Sequence, residues 1–423
     1  MPRERRIGRV LWVGAAIIIA LATLTPGGQP ASSPDCPSCD DLAGVDIVLN
    51  VLLFLPLGAG LAMDRVKLSK AVLIMCAASG LIELLQLGVV PGRDASLIDV
   101  ATNSAGGVIG FLVGSCIDRL VFPPPVMAAW LASGWLCLWL GVQLVSGYAL
   151  RADPPNAQYF GQLVRPLGDE PQYPGRMLRA TIAGYSFPDW ELRDWRAVSS
   201  ALASDSGATT SLEFESRGQV RDFAALARII GNRQEALEVG ATGSNMTFSV
   251  RSRANDLHLR PLHFMLRGAL PGTAASHPAT PDTAIATVRY ARSVAKMSVA
   301  SRGVTRSIDV PLRTTSGWRL FSPADVYLDG SIRDALLDGA WLFAMLAVAG
   351  YWISFVVAGV RAKARLVMAV YAGPVLAVAY GLLLVPRALG LASLAWWEIS
   401  AAFAALIGGN AMGVMVRDRR ARA

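Results

Sequence analysis

Charge is scarce in this sequence. Of its 423 residues only 17% are Asp, Glu, Lys or Arg, while 53% are hydrophobic. A soluble domain carries about 25% charged residues, so a purely soluble enzyme is excluded. Disorder is excluded too, because it needs many charges and few apolar residues. Three His and five Cys leave little for a Cys/His centre, and neither a metal site nor a cofactor is expected. The charge that exists runs positive, 39 Lys and Arg against 31 Asp and Glu, for a net +8. In a soluble chain that excess would point to nucleic acid. Here it sorts by membrane topology, and no nucleic-acid partner is expected.

What the chain has in abundance is long apolar runs. Crossing a ~30 Å hydrocarbon core takes roughly 20 helical residues. Runs of that kind cover about 7–25, 46–63, 71–90, 100–117, 126–145, 340–360, 366–385 and 395–416. The fold class expected is therefore an α-helical transmembrane bundle of about eight spans, interrupted by one polar domain. The division is residues 1–125 as a four-span bundle, 126–145 as a fifth span, 146–339 as the polar domain, and 340–423 as three further spans. The first run reads as an uncleaved anchor rather than a signal peptide, since it is long and Thr25-Pro26-Gly27 is a poor cleavage site.

Orientation follows from Lys and Arg in short loops. With both termini in the cytoplasm, the inner segments hold Arg3, Arg5, Arg6 and Arg9, then Arg65, Lys67 and Lys70, Arg119, Arg361, Lys363 and Arg365, and four arginines between 417 and 422. The short outer loops hold only Arg93 and Arg387. Five spans then place the polar domain outside the cytoplasm. Cys36 and Cys39, in the first outer loop, read as a local disulfide in an oxidising compartment, with two idle thiols as the other reading.

Polar groups inside spans are costly, about 2.5–3.5 kcal/mol for a mid-membrane charge, and three successive spans carry them in a repeated pattern. Asp46 is followed by Asn50, Glu83 by Gln86, and Asp99 by Asn103. Residues three or four apart share a helix face, so each span offers a carboxylate and an amide together. Glu83 lies seven residues below Val90, about 10 Å at 1.5 Å per residue, so all three pairs occupy the outer half of the bilayer. Arg93 lies in the connecting loop. Gly106, Gly110 and Gly114 continue the Asp99–Asn103 stripe, the small-residue face on which membrane helices approach closely. Ser96 and Asp99 fit a capping box, and Pro56 and Pro374 mark kinks. Taken singly, Asp46 and Asp99 also suit helix N-termini at an interface, and the amides suit interhelical glue. Glu83 is too deep for the interfacial reading.

The ordered set Asp46-x3-Asn50-x3-Phe54-x-Pro56-x-Gly58, Glu83-x2-Gln86 and Arg93-x5-Asp99-x3-Asn103-x2-Gly106 resembles the VanZ-like family over about residues 7–121. That family is named for a protein linked to teicoplanin resistance, and no chemical mechanism is settled for it. The resemblance implies Asp46, Asn50, Glu83, Gln86, Arg93, Asp99 and Asn103 as ligand-binding positions in a bacterial cytoplasmic membrane. Glu83 and Asp99 are the candidate catalytic residues if the bundle is an enzyme.

The polar domain reads as β-rich. Residues 212–214, 246–250, 288–290 and 297–299 alternate apolar and polar, the signature of half-buried strands, and Gly-containing turns separate them. Residues 223–231 fit strand or helix. The pattern resembles a laminin-G/concanavalin A-like jelly-roll sandwich, a fold that often binds glycans or proteins. Trp190 and Trp195 fit sugar stacking or, better, a core. Near the C-terminus, Glu398 beside Trp396 and Trp397 reads as a water-facing carboxylate in an aromatic belt.

Two functions follow from these expectations. One is an envelope protein that binds membrane lipid and an envelope glycan or lipid-linked precursor. The other is a membrane-embedded enzyme using Glu83 and Asp99 as acid and base on a lipid-linked glycan or phospholipid.

Overall fold

Apolar runs of this length form helices because lipid offers no partner to backbone N–H and C=O groups. In a computed structural model, which describes residues 2–25, 43–90, 96–165, 171–216, 219–270, 282–359 and 364–422, eight helices among the described residues are long and apolar enough to cross a membrane. Cys36, Cys39 and Arg93 lie outside the described residues. The chain divides into two units, Met1–Pro124 and Pro125–Ala423.

The first unit holds α1 (Pro2–Leu24), α2 (Ala43–Met63), α3 (Leu68–Gly88), α4 (Leu97–Ser115) and the short α5 (Ile117–Val121). Phe54, Leu57, Leu61, Met75 and Phe111 form its buried core with Ala15 and Ile19 of α1. The glycine stripe of α4 lies against the backbone of α2. A methyl group added at Gly106, Gly110 or Gly114 would land on the carbonyl oxygens of Val51, Leu55 and Ala59, each one turn from the next. Pro56 stays inside a continuous α2. At the opposite end of the helices from the carboxylates, Asp64 accepts hydrogen bonds from Trp12 Nε1 at 3.2 Å and Arg9 Nη2 at 3.4 Å. Burial pushes the Asp64 carboxyl up, but the donors Trp12 and Arg9 outweigh it and hold it below the ordinary value.

The second unit begins with α6 (Pro125–Ala149) and continues into two sheets. One has the order β1 (Tyr159–Leu163), β5 (Val220–Gly231), β6 (Gln234–Gly243), β7 (Asn245–Val250), β8 (His263–Leu266), β12 (Tyr327–Leu328). The other runs β11 (Val304–Pro311), β10 (Val294–Ser301), β9 (Asp282–Ala291), β4 (Thr209–Ser216), β2 (Met177–Ile182), β3 (Tyr185–Ser186). Pairing is antiparallel except between β8 and β12. The sheets do not close into a barrel. Leu212 and Phe214 of β4 point inward with Ala286 and Val288 of β9, as a half-buried strand requires. Phe264 of one sheet meets Tyr290 of the other, ring centroids 5.9 Å apart.

Residues 223–231 fall in β5. Its residues 224–229 are all buried, so both faces are covered and the alternation that marks an exposed strand is lost. Two short helices, α7 (Trp195–Ala203) and α8 (Arg253–Asp256), sit in connections. After a 3₁₀ segment, Thr314–Phe321, the chain enters α9 (Ile332–Gly359). It then forms α10 (Ala364–Ala379), a π-helical turn (Tyr380–Leu384), α11 (Val385–Ala388) and α12 (Trp396–Arg422). Pro374 lies within α10, one turn and a half before the π turn. Helix α9 starts well before the apolar run at 340, because Asp334 and Asp338 are helical and hydrogen-bonded.

Candidate functional site

Helix α3 presents Ser79, Glu83 and Gln86 along one buried stripe. Helix α4 presents Asp99, Thr102 and Asn103 in its first two turns, with Asn103 buried. These residues face one another. Asn103 Nδ2 donates to Ser79 Oγ at 2.9 Å. The backbone N–H of Ser96, at the N-cap of α4, donates to Glu83 Oε2 at 2.7 Å. Ser96 Oγ accepts from the Ile98 N–H at 3.2 Å. The partner found for the Ser96 N–H in the expected capping box is thus a carboxylate from a neighbouring helix, Glu83. Asp99 lies close enough for its charge to act on Glu83.

Two further helices join this seam. Asn50 Nδ2 of α2 donates to Thr102 Oγ1 at 3.4 Å, and Gln86 Nε2 donates to the Thr23 carbonyl of α1 at 2.9 Å. Asp46 is half-buried in the first turn of α2, one turn from Asn50. Of the seven positions singled out in the sequence, five (Asn50, Glu83, Gln86, Asp99 and Asn103) lie along this seam, Asp46 is near its α2 edge, and Arg93 lies outside the described residues. Ser79 and Thr102 were missed. Their signal was present, since Ser79 continues the Glu83 stripe at i−4, but a hydroxyl in an apolar run reads as filler.

The seam is rich in acceptors. Glu83 is 8% exposed and accepts through Oε2 from the Ser96 N–H. The Asn103 Oδ1 is buried and has no hydrogen-bond partner among the described residues. A buried polar atom without a partner costs roughly 1–3 kcal/mol, so this arrangement suits a group that brings donors: a hydroxyl, an amide or an ammonium. Among the described residues no three His, Cys, Asp or Glu side chains gather to hold a metal ion.

The second unit has a polar cluster of its own, which joins its 3₁₀ segment to α9 and α12. Asp338 of α9 accepts from Ser316 Oγ at 2.7 Å, Trp318 Nε1 at 2.8 Å and Arg319 Nη2 at 2.8 Å. The Arg319 side chain is 0% exposed, and its Nε and Nη1 have no partner. Asp334 accepts from the backbone N–H groups of Asp329 and Gly330 at 3.0 Å each. Burial raises the Asp329 carboxyl, but hydrogen bonds from Ser331 and Arg267 outweigh it and bring it down to about 2.

Glu398 departs from its expected water-facing place in the aromatic belt. It is 3% exposed, accepting from Thr315 Oγ1 at 2.6 Å and the Ala395 N–H at 2.7 Å, with Arg313 Nε 3.5 Å away. The 3₁₀ segment covers it, a tertiary contact that sequence spacing does not encode. Trp190 is not in the core; it is 67% exposed and meets Phe160 edge-on at 6.0 Å. Trp195 is half-buried against Tyr159.

No curated protein and no solved structure matches the chain. The family model VanZ/LLP1 matches residues 12–118, about a quarter of the sequence and nearly all of the first unit's long helices. The polar seam lies inside that match, so the chain carries a VanZ-like domain within a multi-pass membrane protein.

Proposed function

We propose that the VanZ-like bundle is a binding site for the hydroxyl- or amide-bearing headgroup of an envelope glycan, taken as a lipid-linked precursor. The carrying observation is the acceptor set at Glu83, Asp99 and Asn103 on α3 and α4, in which the Asn103 Oδ1 is buried and unpaired. Carboxylates so placed disfavour a bare phosphate and favour sugar hydroxyls, which pair with them by charge-assisted hydrogen bonds. In this reading the protein sits in the cytoplasmic membrane with both termini inside, supported by the Lys and Arg bias of the loops. The two sheets form a concanavalin A/laminin-G-like sandwich outside. The exposed Trp190–Phe160 pair supports a glycan contact there. A link to glycopeptide-type resistance rests on the family resemblance alone. The proximity of Glu83 and Asp99 keeps acid–base catalysis on the same ligand as the second reading.

The test is a lipid-linked glycan and envelope profile of a deletion strain complemented with wild type, Glu83→Gln or Asn103→Ala, with membrane abundance checked by blot. Glu83→Gln keeps an acceptor for the Ser96 N–H and removes the charge. Loss of complementation by both variants at normal abundance is the expected result. Full complementation by both would make the seam structural and end the proposal. Turnover of a lipid-linked glycan by the purified protein would move the reading to the enzyme.

A further inference from the structure

The helices of the second unit do not pack evenly. Helix α9 closes on α12 through small residues: a methyl group at Gly350 would strike the Leu406 backbone, and one at Gly409 the Ala347 backbone. On α10, by contrast, Gly373 has nothing within 4 Å of an added methyl group. Between α10 and α12 lie two cavities, about 210 Å³ and about 490 Å³. They share Val375, Phe403 and Leu406 as walls, so they form one channel. The upper part is lined wholly by apolar side chains, with Leu382 and Leu383 of the π turn among them. At the floor of the lower part, Asn410 Nδ2 donates to Tyr371 Oη at 2.8 Å.

Three features select an occupant. Its walls Val375, Leu383, Ile399 and Phe403 are exposed, so the channel is open along one side, and in a bilayer such an open apolar channel takes up hydrocarbon rather than water. Its length, from Ile399 to Ala411 along α12, is about 18 Å at 1.5 Å per residue, a little over half of a ~30 Å core. That is the reach of one leaflet and suits a fatty acyl chain better than a longer polyprenyl chain. At the mouth, Arg387 follows the channel-lining Leu383 by one turn and is exposed, with no ion pair among the described residues. The mouth is on the side of the β-sheets, where Arg292 Nε donates to the Leu389 carbonyl. A guanidinium in the interfacial layer above an apolar groove recognises a phosphate.

We propose that the α10–α12 channel seats one acyl chain of an anionic glycerophospholipid from the leaflet on the sheet side, with Arg387 on the headgroup phosphate. This site is independent of the ligand proposed for the first unit. The experiment uses the full chain in phosphatidylcholine nanodiscs containing phosphatidylglycerol with a photoreactive acyl chain, and adducts are mapped by mass spectrometry. Adducts should concentrate on Val375, Val378, Phe403 and Leu406, and unlabelled phosphatidylglycerol should suppress them where phosphatidylcholine does not. Arg387→Gln should lower the preference for phosphatidylglycerol about fivefold, the effect of one basic residue at an anionic surface. Val375→Trp should remove the adducts while leaving thermal unfolding unchanged, because Val375 is 41% exposed and lies off the α9–α12 seam. The proposal is overturned if adducts spread equally over other lipid-facing residues such as Trp130 and Leu138, or if Arg387→Gln leaves the preference intact. It is also overturned if only a polyprenyl phosphate competes.

Discussion

Removing the Asp338 carboxylate should unlatch the 3₁₀ segment from α9. Asp338 accepts three hydrogen bonds, from Ser316, Trp318 and Arg319, and is 4% exposed. In Asp338→Ala the Arg319 guanidinium keeps its buried place with its main counter-charge gone. Only the Asp334 carboxylate remains, 3.5 Å from Nη2. Breaking a buried ion pair from one side costs about 3–5 kcal/mol, mostly as the penalty on the charge left behind. The double variant Asp338→Leu with Arg319→Met removes both charges and fills the space, so it should regain most of that loss. The assay is reversible unfolding of the full chain in bicelles, arranged as a double-mutant cycle. Single-variant losses below about 1 kcal/mol, or a double variant that merely adds the two, would refute the claim that the pair is coupled and sealed from solvent.

Other outcomes follow from the same geometry. Gly110→Val pushes a branched side chain into the Leu55 carbonyl and should lower the stability of the first unit by about 1–3 kcal/mol, read as a fall in Tm. Asn103→Leu removes an amide whose oxygen is unpaired but also strands Ser79 Oγ, so its stability cost should stay near ~1 kcal/mol in a thermal melt, while the binding role proposed for it is lost. Asp329 has a folded-state value of about 2 against an ordinary 3.8. A depressed carboxyl stabilises above its unfolded value, and that contribution disappears as pH falls from about 4 towards 2. Asp329→Asn should therefore flatten the acid limb of the stability curve by roughly 2 kcal/mol, from 1.36 kcal/mol per pKa unit. Trp190→Ala should leave Tm unchanged, because exposed side chains away from buried networks act within about 0.5 kcal/mol.

The spans were legible because lipid imposes a length and a composition that no other constraint imitates. The Gly106–Gly110–Gly114 face was legible for the same reason, since small residues at every fourth position have one use in a membrane. Glu83 was legible because its depth made it costly. The strands at 212–214 and 246–250 showed themselves because one face of each is more exposed than the other. Segment 223–231 did not, because β5 is covered on both faces. Glu398 was misplaced, and Asp338 passed over, for a different reason. Their partners, Ser316, Trp318, Arg319 and Thr315, are close in space only after the 3₁₀ segment folds back over α9 and α12. Local spacing sees a polar residue at a span's edge and assigns it to water.

The same fold-back decides what kind of attachment the sheets have. Their domain enters and leaves through α6 and α9. Gly317 of the 3₁₀ segment sits against Ser146 of α6, Asp338 fixes that segment to α9, and Glu398 fixes it to α12. The Tyr290 hydroxyl donates to the Leu150 carbonyl at 2.5 Å, just past the end of α6. The domain is gripped like the head of a key rather than hung like a flag. A twist applied to the sheets is delivered as torque to three membrane helices together, and a soluble fragment cut out at its two ends would carry Arg319 and Thr315 stripped of their counterparts.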